Sequence, residues 1–374
     1  MENSSIVRLI RPNISQAEID AVGRVLETGM LVSGPIVQHF ERLLANYIGV
    51  AHAVCVSSGT AALHLALLAA DIRPTDEVLV PAFTFPATAN VVEIAGAIPI
   101  FIDCKPGSVN IDPDRLIEHI GPRTKAIIPV HAFGIPADMD AIRDTARKYD
   151  LVVIEDAACA LGSKYKANNC GTLGDLAAFS FHPRKLLTTG EGGAVAVNDP
   201  ITADTMRSLR NHGYDGEDYR MPGFNYRMTD FQAALGISQL GKFDSYLEKR
   251  KNLAKTFKSI LKEIEWLEVV EGDPAVESNI QTFLVRVPDD MNRDALIVHL
   301  AAQGIEATIG TYCVPLTHYY RLRYGYSKIE FPEAYRAFKQ YLSLPLHAGL
   351  GSKEMFRIVD ELRAFKGQTV GAGA

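Results

Sequence analysis

Lys185 ends the run Ser180-Phe181-His182-Pro183-Arg184-Lys185, and Thr188-Thr189-Gly190-Glu191-Gly192-Gly193 follows it. A lysine in a glycine-rich loop between two apolar runs is drawn partly out of water. An amine so placed is nucleophilic toward carbonyls, as a Schiff-base lysine must be. The plain alternative is a solvated loop lysine, which is how the neighbouring Arg184 reads. Glu155 and Asp156 directly follow the apolar run Val152 to Ile154. A carboxylate at that point serves as a metal ligand, a ribose acceptor, a helix cap, or the partner of a protonated pyridine nitrogen, whose cationic ring acts as an electron sink. Ser57-Ser58-Gly59-Thr60 follows another apolar run and opens an Ala/Leu-rich stretch. Free backbone N–H groups and hydroxyls there suit a phosphate, and they suit a simple helix cap equally well.

These three stretches sit where strand-to-helix loops of an open sheet fall. Short apolar runs at Ala53 to Val56, Glu77 to Val80, Ile98 to Ile102, Ala126 to Val130, Val152 to Ile154, Ala177 to Phe181 and Ala194 to Val197 alternate with helical stretches. The helices are expected at Gln16 to Thr28, Val37 to Tyr47, Thr60 to Ala70, Ala87 to Ala95 and Met139 to Lys148. Such alternation predicts an α/β domain with a mostly parallel sheet covered on both faces, and ligands of such sheets sit beyond the carboxyl ends of the strands. A charge-rich helical pattern runs from Met228 to Ile264. Beyond it, a strand is expected at Gln281 to Val287 and a helix at Arg293 to Gln303. The division is therefore 1–244 for a large α/β domain and 245–374 for a smaller α+β domain, with the tail GQTVGAGA disordered.

The chain has 374 residues, 47% hydrophobic, and a formal net charge of −6. This balance argues against nucleic acid or an anionic membrane surface as partner and favours a small polar ligand. Cys55, Cys104, Cys159, Cys170 and Cys313 form no CxxC or Cys/His pattern, so no metal site is expected and the thiols read as reduced. The first residues lack a signal-peptide pattern, and no apolar stretch is long enough to span a bilayer. A soluble, cytoplasmic protein is the expectation.

Several longer motifs stand in one order: Thr28 to Gly34 (TGxxxxG), Ser57 to Leu67 (SSGTAALHLAL), Pro81 to Asn90 (PAFTFPATAN), Glu155 to Gly162, Gly174 to Gly193, Gly223 to Gly236 (GFNYRMTDFQAALG) and Leu342 to His347 (LSLPLH). In this combination the sequence resembles the DegT/DnrJ/EryC1/StrS group of sugar aminotransferases, from Pro12 to about His347. The resemblance implies an aspartate-aminotransferase-like fold (PLP fold type I) and pyridoxal 5'-phosphate (PLP) as cofactor. It implies that Lys185 bonds to the cofactor and shuttles the proton, that Asp156 pairs with the pyridine nitrogen, and that Phe85 stacks on the ring. Ser58, Gly59, Thr60 and Ser180 would hold the phosphate, and Asn225 would reach the phosphate of a neighbouring subunit in a homodimer with shared sites. Cys159 replaces the Gln or His that many members place near the 3'-oxygen, and a thiol is a weaker hydrogen-bond partner. Pro315-Leu316-Thr317-His318 replaces the more usual Pro-Leu-His.

The implied activity is transfer of an amino group from an amino acid, by family habit L-glutamate, to a keto sugar on a nucleotide, as in building polysaccharide or O-antigen. TTGEGG resembles members that aminate C4, whereas GDGG or GDAG marks those acting at C3. The expected acceptor is a 4-keto-6-deoxy hexose on UDP, GDP or dTDP. The alternatives are C3 amination and a cyclitol or other keto acceptor. A PLP-dependent sugar dehydratase would carry histidine at position 185. A non-catalytic PLP-binding regulator would bring a DNA-binding domain, and a nicotinamide enzyme would bring GxGxxG after its first strand; this sequence has neither.

Overall fold

The computed structural model describes residues 6–32 and 34–365. The tail for which disorder is expected lies outside the described residues. Seven strands build the larger sheet: β1 (His52–Val56), β2 (Glu77–Pro81), β3 (Ile98–Ile102), β4 (Thr124–Ile127), β5 (Val152–Asp156), β6 (Leu176–Ser180) and β7 (Gly193–Val197). Their order is β1-β7-β6-β5-β4-β2-β3, and β7 alone runs against the rest.

Near-continuous apolar runs form these strands because both faces of the sheet are covered. Successive side chains alternate between two cores: Val54, Val56, Val78 and Val80 join one, while Ala53, Cys55 and Leu79 join the other. The helices that precede the small sheet in the chain begin with α1 (Gln16–Thr28), α2 (Pro35–Ile48), α3 (Gly59–Ala69), α4 (Ala87–Ile94), α5 (Met139–Tyr149), α6 (Pro200–Leu209) and α7 (Asp230–Leu240).

The expected strands are all present, with two telling differences at their ends. β4 leaves the ladder at Ile127, before Pro129, which has no N–H to donate. β5 runs two residues beyond Ile154, since Glu155 and Asp156 pair with Ala177 and Ala178 of β6. The acidic pair is therefore the end of a buried strand.

The helical pattern expected from Met228 to Ile264 is broken. α7 ends at Leu240, and α8 (Phe243–Leu261) starts after Lys242, whose backbone leaves helical geometry at φ −118° and ψ 9°. The break lets α7 pack on α1 and α2, while α8 passes from one core to another. Phe243 and Leu247 lie in a core of the large sheet, and Ala254, Phe257 and Leu261 lie in that of the small one. The small sheet holds β8 (Glu268–Val269), β9 (Phe283–Arg286), β10 (Thr308–Ile309) and β11 (Tyr341–Leu344), all antiparallel in the order β8-β9-β11-β10. The helices α9 (Arg293–Ala302) and α12 (Ser352–Ala364) pack in the core of this sheet, whereas α10 (His318–Tyr324) and α11 (Pro332–Gln340) bury Tyr320, Ala334 and Ala337 in a core of the large sheet. Val7 pairs with Ile305 and is buried in the small sheet's core. Among the described residues no helix is long and apolar enough to cross a membrane.

Candidate active site

Because β1, β5 and β6 run in one direction, their carboxyl ends open on the same edge of the sheet. A cavity of about 600 Å³ lies there, floored by those ends and roofed by Gln281 and by residues of the small sheet such as Phe283, Thr308 and Ser343. Ser58, Gly59, Thr60, Phe85, Asp156, Cys159, Ser180 and Lys185 all line it, so eight of the nine residues singled out in the sequence meet around one space.

Ser58 caps α3, its hydroxyl accepting the Ala61 N–H at 3.1 Å. Capping and anion binding turn out to be compatible. The Gly59 and Thr60 N–H groups find no acceptor among the described residues, and both residues line the cavity at the positive end of the helix dipole. Gly59 has a packing reason as well, since a Cβ there would lie 2.7 Å from the Cβ of Ser180. Glycine thus brings the start of α3 against the end of β6.

Asp156 is 5% exposed and held from both sides. Thr88 of α4 donates its hydroxyl to Oδ2 at 2.8 Å, and the Ala158 N–H donates to Oδ1 at 3.2 Å. Burial pushes its carboxyl pKa up from the usual value, against the opposing pull of Thr88, Ala158, Lys185 and His131. A cationic ring nitrogen beside it would supply the partner that favours the ionised form.

Lys185 is half-buried, on a turn that Gln281 pins. The Gln281 Oε1 accepts the Leu186 N–H at 3.2 Å, and its Nε2 donates to the Arg184 carbonyl at 2.7 Å. The Lys185 amine donates to the Cys159 sulfur at 3.0 Å. Phe85 is 64% exposed at the mouth, its ring 6.4 Å from that of Tyr312. An anion cradle, a buried carboxylate, a reachable amine and an aromatic face fit a phosphorylated pyridine aldehyde.

Asn225 is the exception. It is exposed, bridges Asn211, and does not line its own chain's cavity. His318 opens α10, exposed and away from the cavity lining. Sequence reasoning passed over Thr88 and Gln281. Thr88 lies inside the quoted PAFTFPATAN motif, but nothing local marks Gln281.

It also passed over Glu155 as distinct from Asp156. Glu155 points away from the cavity and accepts the N–H groups of Gly171, Leu173 and Gly174 as well as the His131 ring. His131, Glu155 and Cys170 come close enough to hold a metal ion. The carboxylate is already engaged by four donors, and His131 Nδ1 accepts the Ala137 N–H at 3.1 Å, leaving the Nε2–H to face Glu155. Burial works against protonation of this imidazole, but Cys170 and Glu155 hold its pKa up to about 10, so the ring braces the carboxylate. The group ties the end of β5 to the loop before β6.

A family model described as the DegT/DnrJ/EryC1/StrS aminotransferase family matches residues 12–363. The GDP-perosamine synthase of Caulobacter vibrioides is 38% identical over 95% of this chain and 97% of that protein. Spr1654 of Streptococcus pneumoniae in its PLP-form superposes with a TM-score of 0.91 at 31% identity, covering 96% of this chain and 98% of the other. DesI, solved in the presence of its TDP-sugar product, gives a TM-score of 0.89 at 31% identity over 96% and 93%.

Proposed function

The chain belongs to the DegT/DnrJ/EryC1/StrS aminotransferase family, and from that premise we propose that it moves an amino group from L-glutamate to C4 of a 4-keto-6-deoxy hexose carried on a nucleoside diphosphate. That it is a PLP-dependent sugar aminotransferase follows from the family and its relatives. The carbon aminated, the donor and the residue roles are our reading. The observation that carries it is the gathering of Lys185, Asp156 and the open N-terminus of α3 around one cavity.

In this reading the Gly59 and Thr60 N–H groups, with Ser58, Thr60 and Ser180 hydroxyls, hold the cofactor's phosphate. Phe85 covers one ring face, Asp156 keeps the ring nitrogen protonated, and Cys159 lies beside the amine and the ring's 3'-oxygen. The bound cofactor supplies a cationic ring that accepts electrons from the reacting carbon. Lys185 bonds to the cofactor and, once freed by the donor, carries the proton to and from the substrate carbon through Nζ. Delivery from one fixed lysine acts on one face, so a single amino epimer results. The TTGEGG run after Lys185 supports C4.

Asn225, turned away from its own cavity, supports a homodimer in which it reaches the partner's phosphate site. The division at residues 244 and 245 belongs to the same reading, with α8 as the shared helix between a cofactor-binding domain and a C-terminal domain. Five free thiols, four of them buried, support a reducing cytoplasmic setting.

Borohydride reduction of the PLP-loaded protein followed by peptide mapping tests the assignment, with the label expected on Lys185. A panel of 3-keto and 4-keto nucleotide sugars supplied with L-glutamate should yield product aminated at C4. A label on another residue, or product aminated at C3 only, would overturn the corresponding part. An equal mixture of Lys185→Ala and Asn225→Ala subunits should regain activity if sites are shared, whereas no recovery would reject the sharing.

A further inference from the structure

Six acidic or basic side chains line the cavity beside the Cys159 thiol: Asp156, His182, Arg184, Lys185, Glu191 and Arg250. Asp156 and Lys185 belong to the floor described above. Arg250 is 2% exposed and spends its guanidinium on the carbonyls of Ile280, Leu346 and Gln281, at 2.6, 2.6 and 2.9 Å. It buttresses the wall with three of its five N–H donors, one from each nitrogen, and is held there by backbone carbonyls.

His182 Nδ1 accepts the Arg184 N–H at 3.1 Å, which puts the ring proton on Nε2, 3.8 Å from Glu191. Burial lowers the pKa of this imidazole against the pull of Glu191, and the neighbouring Lys185 and Arg184 charges lower it further. His182 is therefore neutral at pH 7, and Glu191 adds negative charge to the rim.

Arg184 remains. Its backbone is fixed at both ends, the N–H on His182 and the carbonyl on Gln281. Its guanidinium forms no hydrogen bond or ion pair among the described residues, and it is exposed on the cavity wall beside the reactive lysine. With Lys185 bonded to the cofactor, Arg184 is, among the described residues, the cavity-lining cation whose charged group meets no protein partner.

We propose that Arg184 is a specificity-determining residue that grips the diphosphate of the nucleotide sugar at the cavity rim. The inference rests on the nucleotide-sugar reading above. Two anions visit this site in turn, the donor's carboxylates and the acceptor's diphosphate. The donor's α-carboxylate is attached directly to the reacting carbon and so lies on the floor beside the amine. The diphosphate hangs from the anomeric carbon, across the sugar ring from C4, and so emerges toward the rim where Arg184 stands. A guanidinium also matches phosphate oxygens two at a time, which an ammonium cannot do.

The test uses the PLP-loaded enzyme and its Arg184→Gln and Arg184→Lys variants. Calorimetric titration with UDP, GDP and dTDP at low and high salt reads nucleotide binding. The donor half-reaction is read separately, as the change in cofactor absorbance on adding L-glutamate. The proposal expects Arg184→Gln to weaken the tightest-bound nucleotide by about tenfold or more and to flatten its salt dependence, with Arg184→Lys in between. It expects the donor half-reaction to keep its dependence on glutamate concentration. Parent-like nucleotide binding in Arg184→Gln overturns the proposal, as does a loss confined to the glutamate step. A parent that reacts with glutamate yet binds none of the three nucleotides also overturns it while leaving amino transfer standing. A parent inert toward glutamate rejects the wider functional reading itself.

Discussion

Thr88 of α4 donates its hydroxyl to Asp156 of β5 across 2.8 Å, with only 1% of Thr88 exposed. A helix on one face of the sheet thus aims the carboxylate that a strand delivers to the cavity floor. Thr88→Val keeps the shape and removes the donor. The bond is present without the cofactor, and a hydrogen bond to a charged group contributes about 1.5–3 kcal/mol. The variant should therefore lose about that much stability and, with the carboxylate less firmly aimed, bind PLP more weakly. Absorbance titration with PLP measures it, and a parent-like affinity would detach Thr88 from this role. Asp156→Asn should retain PLP but slow both half-reactions.

Gly59→Ala pits two effects against each other. Alanine favours a helix start by up to about 1 kcal/mol, yet the new methyl would sit 2.7 Å from Ser180 Cβ on a strand paired on both sides. Overpacking of this kind costs about 1–3 kcal/mol. The variant should melt lower than the parent and bind PLP more weakly, and a raised melting temperature would show that the α3–β6 contact yields easily.

Cys159 is half-buried, and the other four cysteines are buried. Burial pushes the Cys55 and Cys104 thiols well up, and it carries Cys313 to about 12, which leaves them little thiolate. Iodoacetamide should therefore modify Cys159 first in the folded cofactor-free protein, and bound PLP should slow the reaction by covering the sulfur. Peptide mass mapping reads both outcomes. Modification spread evenly over the five cysteines would contradict this order.

Glu18 ties α1 to the α7–α8 junction, accepting from Ser15 and Ser238 and pairing with Lys242 at 2.7 Å. Burial raises its carboxyl pKa, but Lys242, Ser15 and Ser238 outweigh that and bring it from 4.5 to about 2. A depressed acid stabilises the fold above its unfolded pKa and loses that contribution as pH falls through the folded value. The stability gap between the parent and Glu18→Gln should thus be full near neutral pH and shrink between about pH 5 and pH 2. Denaturant melts across that range check it, and a constant gap would exclude the carboxylate's charge as the cause.

What the sequence determined alone was the floor of the site. Ser58 to Thr60, Asp156 and Ser180 to Lys185 each follow an apolar strand within a few residues, and in a parallel sheet all such ends share one edge. Chain order and strand direction are local properties, so the gathering of these residues was readable before any contact was known. The strands' apolar runs were readable for the same reason.

What only the tertiary structure decided were the groups that aim and surround that floor. Thr88 reaches Asp156 across 68 positions of sequence, and Gln281 holds Arg184 across 97. The break at Lys242, which sends α8 to the small sheet, and the short strands β10 and β11 above the cavity left no periodic trace. Arg184 is exposed, in keeping with its reading as a solvated loop residue, but only the tertiary structure shows that it lines the cavity. Such partnerships depend on the packing of distant elements, which no short stretch of residues encodes, and they determine how open, how charged and how rigid the site becomes.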